Sequence, residues 1–248
     1  MHTSNLGLAH LLIANCLVFL AMNRADLAVL EPRLTPLGPA ASMDDVYYDL
    51  QLRFKYWLSD NGLECSCKKF TSNALHRTSW QEYPIFTCKA AQSPYLVGWL
   101  AELSIKFAAT CQGEFRAEAD CVAACLWGKS EYYGILRNGS RFFSAEEADR
   151  LFECGHVLLH TYAELRRKSI AAATCMWSIV PKFHQFQHIL LDALTDLQNP
   201  RFSHCFSDED FVGQMITAME AVHHLTAVDS ALSKYLMGLK ERLMHLEP

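Results

Sequence analysis

Two histidines stand four residues apart in the stretch "PKFHQFQHILLDAL": His184 and His188. On a helix that spacing puts both rings on one face. Imidazole nitrogens so placed can take zinc or a similar metal. A zincin-type protease also needs a glutamate directly after the first histidine, as general base. Here that position is Gln185, so the motif has no base. A second pair, His156 and His160, repeats the spacing, and four histidines on two helices could make one site. Eleven histidines in 248 residues give about 0.5 such pairs by chance. Structural or solvated histidines are therefore the plainer reading.

A sharper pattern is Glu-x-x-His, present as Glu153 with His156 and as Glu220 with His223. Two such motifs plus a glutamate from each of two other helices make a di-metal carboxylate bundle. Glu102 or Glu118, with Glu209, would complete it on paper. The helices that must carry it are short and interrupted, so this helical metalloenzyme stays an alternative. The run "SDEDFVGQ" offers Glu209 between Asp208 and Asp210 as a metal-holding carboxylate. Acidic residues at a helix start are equally explained by the helix dipole. No G-x-S-x-G elbow, Walker A loop or dinucleotide fingerprint occurs. A nucleophilic pairing of Cys154 or Cys205 with a histidine has no motif behind it. No cofactor is expected, and no catalytic residue is assigned beyond the weak candidate Glu209.

Composition narrows the class. Hydrophobic residues make up 51% and charged residues 20%, the balance of a globular chain rather than a disordered one. A net charge of −5 disfavours a free-standing nucleic-acid binder, so a protein partner is the better expectation. The one compact basic cluster, Arg166-Arg167-Lys168, suits a helix C-terminus. Trp57, Trp80, Trp99, Trp127 and Trp177 mostly lie among apolar residues and read as core. Of ten cysteines, Cys121 and Cys125 are helix neighbours in an apolar run, and Cys16 and Cys175 also sit in apolar runs. Buried free cysteine behaves as a small hydrophobe. No C-x-x-C pair exists, and Cys65-Ser66-Cys67 alone is too close for a usual zinc framework. A reduced, intracellular protein, in the nucleus or outside it, is expected. A secreted, disulfide-bonded helical protein is the competing reading, and only there would the sequon Asn138-Gly139-Ser140 matter.

The elements that must position these residues are helical. "LGLAHLLIANCLVFLAM" carries no charge but contains His10 and Asn15, and it falls short of the roughly 20 apolar residues of a membrane span. No basic residue precedes it and no clean cleavage site follows. It reads as a packed helix within an N-terminal extension over residues 1–35, with a signal-like segment as the alternative. "EPRLTPLGPAAS" is a linker. Residues 42–248 are expected to form a single α-helical domain. Helix starts are marked at Ser42, at Ser93-Pro94 and at Ser144 with Glu147 three residues on. Pro181 opens the helix of His184 and His188, and Asn199-Pro200 ends it. Two further helices are expected after residue 207. Residues 63–92 read as irregular, with a β-like run at "YPIFTCKA". The fold class is mainly α, a multi-helix globular bundle with a small irregular, β-like segment around 63–92.

The order of "FKYWLSDNGLECSCKKFT", "YPIFTCKAAQSPYLVGWL", "PKFHQFQH", "NPRF" and "DEDFVG" resembles a multi-copy, uncharacterised protein family of dinoflagellates, in patches over roughly residues 46–240. More distantly it is similar to the C-terminal helical part of Plavaka- and CACTA-type transposases. Pro181, Lys182, His184 and His188 match the Pro-Lys-x-His-x-x-x-His segment of those enzymes. Glu209, before Phe211, is the nearest candidate for their last metal-binding carboxylate. The resemblance departs after that residue, and the strands carrying the other two catalytic aspartates have no counterpart here. Two-metal phosphoryl chemistry needs several converging carboxylates. The resemblance thus implies a mobile-element-derived, non-catalytic helical domain that acts as an interaction module.

Overall fold

The structure is a computed structural model and describes residues 3–23, 30, 33–34, 37–38 and 40–203. The chain divides into two compact units, Met1–Ser203 and His204–Pro248. Glu209, Glu220, His223, Cys205 and the two helices expected after residue 207 lie outside the described residues. The first unit is mainly α. Its helices are α1 (Ala9–Met22), α2 (Met43–Asp60), α3 (Ser93–Thr110), α4 (Arg116–Asn138), α5 (Ala145–Ala171) and α6 (Lys182–Asp196).

The capping signals in the sequence set several boundaries. Ser42 and Asp45 form a full capping box on α2, and Ser144 with Glu147 forms one on α5. In each box two otherwise unpaired N–H groups gain acceptors. Two hydrogen bonds from Ser42 hold the exposed Asp45 carboxyl below its usual range. Ser93 is not the cap of α3. Gln92 takes that place, and the fully buried Ser93 hydroxyl donates to the Asn5 carbonyl at 3.3 Å. Pro181 caps α6 as expected, but the helix ends at Asp196, with Leu197 in the left-handed region. The Asn199 amide then donates to the carbonyls of Leu136, Gly139 and Ser140, closing the C-terminus of α4.

α3, α4, α5 and α6 pack each on the next in chain order, and short connections make such neighbours antiparallel. Glycine permits the closest of these approaches. A Cβ on Gly128 of α4 would stand 2.6 Å from the Cys154 carbonyl oxygen of α5. A Cβ on Gly155 of α5 would run into the Leu190 side chain of α6.

α1 is the middle of the core. Every residue from Ala9 to Ala21 is buried, so the helix has no polar face. The run lies in the larger unit and packs on α2 and α3. Its two polar residues are anchors. His10 Nε2 lies 2.9 Å from the Cys88 carbonyl oxygen. Asn15 donates to Leu11 and accepts the Trp177 backbone N–H at 2.7 Å. Each thereby ties a non-helical segment to the central helix, and Trp177 is held there at a φ of 57°.

Residues 63–92 contain no strand. Their alternating apolar residues plug the core instead of pairing edge to edge. Phe70 and Phe86 pack edge to face, centroids 5.4 Å apart, with Phe70 against Trp99. The backbone groups find partners outside any ladder: Phe86 N–H reaches the His10 carbonyl, and Ile85 N–H reaches Leu75. No described helix is long and apolar enough to cross a membrane.

Candidate functional site

α5 and α6 leave an open groove of about 350 Å³ on one side of their contact. Leu159, Tyr162 and Phe183 line its floor, and His156, His160 and His184 its rim. The pattern of α6 explains the placement. Phe183, Phe186, Leu190 and Ala193 are its buried face, and this turns His184 and His188 to solvent. The two rings meet there. Their Nε2 atoms are 3.0 Å apart, their centroids 4.4 Å apart, and their planes are inclined by 77°. One ring therefore donates N–H while the other offers a lone pair. On the opposite wall His156 stacks on Phe152, centroids 5.9 Å apart.

The fold thus brings His156, His160 and His184 to one groove and His188 into contact with its rim. Among the described residues it does not gather the carboxylates. Glu102 on α3 accepts the Trp57 indole N–H at 2.9 Å. Glu118 on α4 is half-buried beside Lys168, and burial pushes its carboxyl up while Lys168 opposes that. Glu153 is exposed on α5. Among the described residues no three His, Cys, Asp or Glu side chains stand together as a metal-ligand set.

Seven of the described thiols, Cys154 among them, have the wrong electrostatics for a nucleophile, which needs thiolate character. Burial pushes Cys16, Cys67 and Cys125 up to about 12, and raises Cys65, Cys88, Cys121 and Cys154 as well. Cys16, Cys65, Cys67, Cys88, Cys121, Cys125, Cys154 and Cys175 form no disulfide. The basic cluster serves the fold. Arg166 donates to the Met176 carbonyl and covers the Tyr83 ring, Arg167 pairs with Glu164, and Lys168 faces Glu118. Of the tryptophans, Trp99 and Trp177 are buried, whereas Trp80 and Trp127 are exposed on the surface rather than in the core.

One polar feature gave no sequence signal. Lys129 on α4 has no solvent exposure. Its amine donates to the Ser4 hydroxyl and lies over the rings of Tyr132 and Tyr133, both at 4.5 Å, and of Phe186 at 4.8 Å. Beside it the Tyr133 hydroxyl donates to Asn5 at 2.9 Å. Desolvation holds the Lys129 amine well below the ordinary lysine range. Cys125 gives it no counter-charge, because that buried thiol is neutral.

No protein-family model matches the chain, and neither a curated protein nor a solved structure is significantly similar to it.

Proposed function

We propose that this chain is a non-catalytic helical interaction module of mobile-element origin, and that it docks a protein partner in the groove between α5 and α6. The origin rests on the ordered patches that resemble the dinoflagellate family and, more distantly, the transposases. The docking role rests on one observation: a 350 Å³ groove joins an apolar floor to an imidazole rim. Clefts of that size with few polar groups suit an inserted side chain or short apolar segment. The reading places the chain inside the cell, where thiols such as those of Cys16, Cys125 and Cys154 stay reduced.

Site-specific photo-cross-linking from Ala163, an exposed residue lining the groove, tests it. In extract of the native host, one protein adduct is expected from this position and not from Glu146, outside the groove. The adduct should disappear with Leu159→Arg. Equal labelling from both positions would overturn the docking role. Magnesium-dependent DNA cleavage or joining by the full chain would overturn its non-catalytic character.

A further inference from the structure

We infer that His184 and His188 are a chelating pair for a borderline divalent transition metal, zinc(II) above all, on the rim of the α5–α6 groove. The geometry carries this. Two nitrogens bound to one zinc at about 2.0–2.1 Å lie roughly 2.9–3.4 Å apart for angles between square and tetrahedral. The His184 and His188 Nε2 atoms are already 3.0 Å apart. A metal must displace the proton they share and turn both ring lone pairs toward itself, a rotation that exposed side chains can make. Both rings are exposed, so the ion enters without opening the core. Phe183 and Phe186, buried on the opposite face, fix the helix that presents them, so little ordering cost remains.

Imidazole is a ligand for zinc, copper and nickel rather than for magnesium or calcium. The pair supplies two ligands, and no third His, Cys, Asp or Glu among the described residues completes a set. The remaining coordination positions are therefore open. His184 lines the groove, and His156 and His160 stand on its other wall. A metal held by the pair accordingly presents its open positions to whatever enters the groove: water, a turned rim histidine, or a donor atom of a docked protein. Closed structural zinc sites use four protein ligands, and open ones keep a position for an exchangeable group.

Zinc(II) titration of the untagged full chain, under a non-thiol reductant, tests the inference without any partner and so stands apart from the docking reading. One zinc(II) per chain is expected. His184→Ala and His188→Ala should each weaken binding by at least about tenfold, the loss seen when even a supporting partner of a ligand is removed. Gln187→Ala, in the same groove, should bind as the parent does. Binding should weaken with acid, because protons compete for the ring nitrogens. Cobalt(II) spectra separate this site from the thiols. A ligand field of nitrogen and oxygen donors supports it, and an intense thiolate-to-cobalt charge-transfer band in the parent chain overturns it. Undiminished zinc(II) affinity in the His184→Ala, His188→Ala double variant also overturns it, with far-UV circular dichroism confirming that each variant is folded.

Discussion

Lys129 sets desolvation against the faces of three aromatic rings. The rings attract an ammonium, but removing a charge from water costs more unless it is paired. The result is an amine held well below its ordinary range, with burial the largest cause. Its folded pKa lies below the unfolded value, so the unfolded chain binds more protons between the two. The stability of the parent protein should therefore rise with pH across that window, up to about 10.4, where an unfolded lysine loses its proton. Lys129→Met should be between neutral and about 4 kcal/mol more stable near pH 7. Its advantage should shrink as pH rises. Urea unfolding of both proteins at several pH values reads this, and a constant gap would count against a neutral amine. Nothing around "LWGKSEYYG" marks this lysine, because its burial depends on Ser4 and Phe186, far away in the chain. The histidine pair was legible, since helical spacing alone puts His184 beside His188. The groove they share with His156 and His160 was visible only as four histidines on two helices.

The glycines at the helix crossings separate two kinds of close contact. At Gly128 an added methyl meets the backbone of α5, which cannot move without shifting the helix. At Gly155 it meets the Leu190 side chain, which can turn. Gly128→Ala should cost about 1–3 kcal/mol through overpacking, less up to about 1 kcal/mol returned by helix propensity. Gly155→Ala should cost less. Thermal melts of the two variants compare them directly, and the reverse order would place the tight crossing at α5–α6. Among the elements, the capping boxes at Ser42 and Ser144 were readable because they are local chemistry. The start of α3 was misread by one residue because Ser93 answers to Asn5, 88 positions away. The β-like run at 83–90 failed as a strand for a similar reason. Its Phe86 is claimed by the core and its N–H by α1, and no strand among the described residues pairs with it.

At the scale of the molecule, α1 decides whether there is a core. Leu11, Leu12, Ile13, Leu17, Val18, Phe19 and Leu20 are all buried. At about 1.5–3 kcal/mol each, they contribute gross stabilisation comparable to or above the about 5–15 kcal/mol net stability of a whole domain. A chain lacking residues 1–23 should therefore keep helical far-UV dichroism but lose its cooperative thermal transition. A sharp transition in that truncated chain would show that α2–α6 close on themselves. The sequence announced an apolar helix here but not its position, because an all-round hydrophobic run fits a core, a leader or a membrane equally well. Its place at the centre has a further consequence during synthesis. The helix leaves the ribosome before α2–α6, which follow it in the chain. At about 5–20 residues per second, roughly 10–35 s pass between the end of α1 and the end of α6. For that interval the most apolar segment of the nascent chain lacks the helices that later cover it and is open to aggregation.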